Sequence, residues 1–191
     1  MKNFLKYTIP AILIILSILS VYFGAYLPHK KAKAYVTALK NAPNVTTVEE
    51  YEENFNNVLD ISSPIGDEEI AKYLGSDSVT IAMQGGVSED VAKELVEYIE
   101  PHLFKNEVRH LIILGQLYGL MWGRYGGEEE YFKKSEEYFL KAKQIGPKLP
   151  PVLYTLFDLY YQSGDMEKAS EIAGEILKYW PDDENVKNLL R

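Results

Sequence analysis

The stretch PVLYTLFDLYYQSGDMEKASEIAGEILKYWP, residues 151–181, decides the fold. Leu153, Leu156 and Tyr160 recur at the spacing of a helix face buried on one side, and Ala169, Ala173 and Ile176 resume that spacing after a gap. The gap is Ser163-Gly164-Asp165, a turn too short for anything but two helices folded back on each other. Helices are therefore expected over Pro151–Ser163 and Asp165–Tyr179, with small and large residues alternating so that the pair packs closely.

Working upstream, Tyr138, Phe139, Ala142 and Pro147 are echoed 34 positions later by Ile172, Ala173, Ile176 and Pro181. That interval is the tetratricopeptide period. Helices over Asn106–Arg124 and Glu129–Ile145 would form the earlier hairpin, and a short helix from Asp182 the tail. The earlier copy is degenerate: its turn, Tyr125 to Glu128, needs about two extra residues to keep register, and Ser135 stands where alanine is usual. Fewer than three repeats rarely stand alone, so helices between Thr47 and Leu103 are expected to cap the stack.

Those upstream helices announce themselves by their ends. Thr46 or Thr47 caps a helix with Glu49 and Glu50 in its first turn and an apolar face of Val48, Tyr51, Phe55, Val58 and Leu59. After the break Ser62 to Gly66, Asp67 opens a short helix expected to stop at Gly75, and a second short helix is expected over Asp77–Gln84. Ser88, followed by Glu89 and Asp90, opens another with the face Val91, Leu95, Tyr98, Ile99. No stretch alternates with period two between turn residues, so the fold class is all-α.

Before all this, YTIPAILIILSILSVYFGAYLP between Lys6 and His29 carries no charge, and about 20 such residues at ~1.5 Å each cross a hydrocarbon layer. Tyr7, Tyr22 and Tyr26 suit the two interfaces, and Pro10 sits in the first turn. A cleaved signal peptide would end in small residues, but Tyr22 and Phe23 occupy that neighbourhood, and the Ala32-x-Ala34 pattern lies beyond the apolar end. An uncleaved anchor is the expectation. Lys2, Lys6 and the α-amino group on one side nearly balance Lys30, Lys31 and Lys33 on the other, so charge does not orient it. The helix is expected to break at Pro28 and resume. The chain thus reads as a flank (1–6), a transmembrane anchor (7–28), a juxtamembrane helix and linker (29–46), a helical cap region (47–105), and two tetratricopeptide-like hairpins with a C-terminal helix (106–191).

Composition narrows function. A net charge of -8 would repel nucleic-acid phosphates, so no nucleic-acid partner is expected. With no cysteine, thiolate chemistry, disulfides and iron-sulfur clusters are excluded. His102 and His110 lack a third ligand at a useful spacing, and no nucleophile elbow, phosphate loop or dinucleotide fingerprint is present. Asp67, Glu68, Glu69 and Glu128, Glu129, Glu130 sit at helix starts, where carboxylates favour the dipole, and Glu49, Glu50, Glu52 and Glu53 form a solvated face. No catalytic residue, cofactor or metal is expected, and the chain does not read as an enzyme.

What remains is a surface. The repeat phase turns Tyr118, Trp122 and Tyr125 of one hairpin and Tyr154, Asp158 and Tyr161 of the next toward the concave side, an aromatic groove suited to a protein partner or to sugar rings. The competing reading is that these rings pack against neighbouring helices. Ile65 to Ile70, Leu114-Gly115-Gln116-Leu117-Tyr118, Tyr131-Phe132, Ala142 to Pro147, Leu156 to Tyr161 and Gly164-Asp165 resemble the tail of O-antigen ligase-like bacterial membrane proteins. In that family an extracytoplasmic helical tail follows a bundle of membrane spans holding the glycosyl-transferring site. This chain has one span and no such bundle, so the resemblance carries over no catalytic residue. It implies a tethered, tetratricopeptide-like scaffold at the outer side of a bacterial inner membrane, binding protein partners, with a glycan-binding or accessory role beside a ligase or polymerase-type transferase as the alternative.

Overall fold

The computed structural model describes residues 2–189, with side chains from Tyr7 onward. Every regular element among them is helical. Two compact units form, the first ending at Ala71 and the second beginning at Lys72.

In the first unit, α1 (Lys2–Val21) passes through a π-helical turn at Tyr22–Tyr26 into α2 (Leu27–Asn41), so the chain does not break at Pro28 as expected. Proline cannot donate to the carbonyl four residues back, and its ring crowds that carbonyl. The π turn absorbs the fault just before it: the Leu27 N–H reaches back five residues to the Tyr22 carbonyl, and the helix goes on. From Tyr7 this helix is long and apolar enough to cross a membrane, and its most apolar window, mean hydropathy 2.2, is wholly unburied by the rest of the protein. The stretch Tyr7–Leu27 alone would be about 31 Å long.

Past the apolar part, α2 packs on α3 (Val48–Leu59). Thr47 caps α3 by accepting from the Glu50 N–H at 3.2 Å, and the Glu50 carboxylate reaches back to the Thr46 N–H at 2.7 Å and its hydroxyl at 2.9 Å. Both threonines are used, which holds the Glu50 carboxyl below its ordinary range. Ala38, Tyr51, Phe55 and Val58 make the apolar contact, while Asn54 donates to the Ala38 carbonyl at 2.9 Å. Lys31, 2% exposed, is held by an ion pair with Asp67 at 2.6 Å and by the Ile61 carbonyl at 2.8 Å.

The helix α4 (Asp67–Met83) is one element where two were expected. Gly75 does not end it. A Cβ there would stand 2.9 Å from Ile113 Cγ2 and 3.2 Å from Leu103 Cδ2, so this glycine permits a close approach inside the second unit instead of a stop. The helix α5 (Glu89–Ile99), capped by Ser88, leads through a 3-10 turn at Glu100–His102 to α6 (Val108–Arg124). Then α6 pairs with α7 (Glu129–Ile145), and α8 (Pro150–Ser163) with α9 (Met166–Tyr179), before α10 (Glu184–Leu189) closes the order.

The two hairpins differ in size. The α6–α7 turn spans residues 125–128 and the α8–α9 turn residues 164–165, a difference of two, while α6 and α7 have 17 residues each against 14 in α8 and α9. Between α6 and α7 the axes are drawn together at Gly115, where a Cβ would sit 2.3 Å from the Phe139 ring, and Ser135 donates to the Gly115 carbonyl at 2.8 Å. The shorter turn is closed by Gly164 at φ 77°: its N–H bonds the Tyr161 carbonyl, the Asp165 N–H bonds the Tyr160 carbonyl at 3.0 Å, and the Asp165 carboxylate caps α9.

Candidate functional site

The six residues expected on one concave face are parted by the second unit's packing. Tyr118 is 6% exposed and turned inward: its hydroxyl donates to Glu100 Oε2 at 2.5 Å, and its ring stacks on Tyr138 at 5.9 Å. Glu100 also accepts from the Tyr138 hydroxyl at 2.5 Å and from Lys105 Nζ at 2.8 Å. Burial opposes ionisation of this carboxyl, but the three donors more than offset it and hold it down to about 2. Burial, then the carboxylate beside it, pushes the Tyr118 hydroxyl well above its ordinary range. The 3-10 turn with the loop after it, α6 and α7 are thereby pinned at one point.

Tyr125 donates to the Val87 carbonyl at 3.0 Å and so braces the loop before α5. Tyr154 belongs to a different surface, donating to Asp183 and stacking on Trp180 at 6.2 Å. Together with Tyr179, Asp182 and Asn185 they line a cleft of about 570 Å³ near the last helix. Tyr161, 38% exposed, lies over Phe157 at 5.7 Å.

Trp122 and Asp158 do come together. They line a groove of about 470 Å³ between the first helices of the two hairpins, α6 and α8, with Val79 and Met83 of α4 along its side. Trp122 is half-buried, its ring edge-on to Phe132 at 5.3 Å. Gln116, Leu120, Thr155 and Gln162 complete the useful lining. Arg124 also lines it, donating both of its terminal nitrogens, at 2.6 Å each, to the carbonyls of Ala82 and Gln84 at the end of α4. Among the described residues the lining holds one carboxylate, Asp158, and one guanidinium, Arg124.

The partial match has a physical reason. Pairing Tyr118 with Tyr154 assumes the hairpins are offset by 36 residues, but burial pairs Leu111, Leu114 and Tyr118 with Leu153, Leu156 and Tyr160, 42 positions on. Tyr160 repeats the role of Tyr118 by donating to a carboxylate, that of Glu136, at 2.9 Å. The greater lengths of α6 and α7, beyond the turn, make up the difference. Gln116 and Leu120 carry no sequence signal of their own, although Gly115 and Gly119, four residues apart on the same helix, mark a face that meets α7 closely.

Comparison with protein-family models, curated proteins and solved structures returns no match for this chain.

Proposed function

We propose that the protein is a membrane-tethered, tetratricopeptide-like scaffold that holds a partner protein in the groove between α6 and α8. The observation that carries this reading is the groove itself, an open channel between the first helices of successive hairpins in which Trp122 stands with Asp158, Gln116 and Gln162. An aromatic anchor with polar neighbours suits a protein partner. The apolar helix from Tyr7 supports the tether, and confinement to a surface raises the effective concentration of a weak groove. Its resemblance to the tail of O-antigen ligase-like proteins supports a place at the outer side of a bacterial inner membrane.

Photo-crosslinking residues at Thr155 and Gln162 would yield adducts with a discrete partner, while one at Glu171, exposed on α9, would not. Adducts that survive Trp122→Ala unchanged would sink the reading. Protease added to intact spheroplasts should digest the domain, and protection would move the scaffold to the cytoplasm.

The second reading, glycan binding beside a transferase, is favoured by the cleft at Tyr154, where the Tyr154–Trp180 stack stands next to Asp182, Asp183 and Asn185. Flat rings flanked by carboxylates and an amide match the apolar faces and hydroxyls of a sugar. A glycan array with saturable binding lost in Trp180→Ala would select it over the first.

A further inference from the structure

We infer that the occupant of the α6–α8 groove is a polypeptide segment presenting a lysine or arginine beside apolar side chains, its cation seated on the Asp158 carboxylate. This rests on the scaffold reading and adds the partner's chemistry to it. Among the described residues two charged side chains line the groove, and they differ in state. Arg124 is committed to the two carbonyls that end α4. Asp158, exposed at the groove, has neither a hydrogen bond nor an ion pair among the described residues. Its tip reaches solvent, yet the protein around it displaces enough water to raise its carboxyl above the ordinary range, with nothing nearby to compensate.

The groove-lining neighbours one turn away make no polar contact with it: the Thr155 hydroxyl is turned back to its own helix, donating to the Pro151 carbonyl at 2.8 Å, and the Gln162 amide has no hydrogen bond to Asp158. A carboxylate that is partly desolvated and has no internal partner favours a ligand that donates to it, and a cation, which brings charge as well as hydrogen bonds, gains most. An acidic segment would meet repulsion at the same point.

That the cation belongs to a polypeptide follows from what flanks it. Along α8 the lining runs from Thr155 to Gln162, about 10 Å of helix, and on α6 from Gly115 to Arg124. Gln116 and Gln162 each offer an amide that both donates and accepts, as a peptide backbone needs. Trp122 and Leu120 supply apolar ground for the residues beside the cation. A small inorganic cation would use none of these.

The test is a phage-displayed random nonapeptide library panned on the full-length chain in nanodiscs, in parallel with its Trp122→Ala, Asp158→Asn and Asp158→Lys variants, each checked for helicity by circular dichroism. The wild type should enrich peptides with lysine or arginine between apolar residues, Asp158→Lys should enrich aspartate or glutamate instead, and a labelled wild-type peptide should bind Asp158→Asn about tenfold more weakly. Peptides that depend on Trp122 but show no basic preference, or keep it after charge reversal, would overturn the inference and leave the scaffold reading intact. No enriched peptides, or peptides indifferent to Trp122→Ala, would overturn both. Should Asp158→Lys fail to fold, the Asp158→Asn comparison decides alone.

Discussion

At the scale of single residues, the tie that holds the 3-10 turn to α6 and α7 is Glu100, a residue the sequence did not single out. It gathers Tyr118, Tyr138 and Lys105 onto one carboxylate. Nothing local marks it, because its partners lie 18 and 38 residues away and a single glutamate before a proline reads as a turn. Ionised Glu100 is favoured by the fold, with its carboxyl lowered from 4.5 to about 2. Its contribution is therefore complete above about pH 4.5 and is lost as pH falls toward 2. Urea unfolding of the full chain in detergent should show wild-type stability dropping more steeply across that window than in Glu100→Gln, and parallel curves would refute the clamp. Tyr118→Phe leaves the packing and removes one charge-assisted bond, so a loss of about 1.5–3 kcal/mol is expected at neutral pH by the same measurement.

At the scale of elements, helix existence was legible and helix continuity was not. Caps at Thr47 and Ser88 are written in the first residues of their helices and each makes the expected bond, while Asp165, legible only as part of a turn, caps α9 as well. Pro28 and Gly75 carry the same local signature of an interruption, yet a π turn carries the helix past one and close packing explains the other. A glycine's reason depends on what lies opposite, which periodicity within one segment does not reveal. Gly115 and Gly174 make the contrast measurable. Alanine at Gly115 would place a methyl group 2.3 Å from the Phe139 ring and should cost about 1–3 kcal/mol, more than the helix propensity it gains. At Gly174, inside α9, nothing lies within 4 Å, so alanine should stabilise by up to ~1 kcal/mol. Chemical denaturation of the two variants should move in opposite directions, and equal shifts would refute the close approach of α6 to α7. The same blindness misplaced the groove: without the lengths of α6 and α7, a 34-residue period cannot tell which residues of two first helices are equivalent.

At the scale of the whole molecule, the N-terminal helix divides two physical settings. Ile12, Leu13, Ile14, Ile15, Leu16 and Ile18 are all exposed, an apolar surface that water would not tolerate and a bilayer would. A few residues on, Lys31 is sealed against Asp67 and Ile61, so the helix leaves its lipid-compatible stretch and enters protein packing within about one turn. That coupling bears on the choice between an anchor and a cleaved leader. Cleavage at the Ala32-x-Ala34 pattern would cut α2 in the middle and take Lys31 from Asp67, removing a buried contact that the first unit uses. Retention leaves both intact. N-terminal sequencing of the chain recovered from membranes should therefore begin before Tyr7, and the chain should stay in the pellet after carbonate washing. Arginine at Ile14, near the middle of the span, should cost insertion about 2.5–3.5 kcal/mol and shift a large share of the chain to the soluble fraction. A mature N-terminus beyond Ala34, or indifference of Ile14→Arg to carbonate, would show that the apolar helix is not what holds this protein to its membrane.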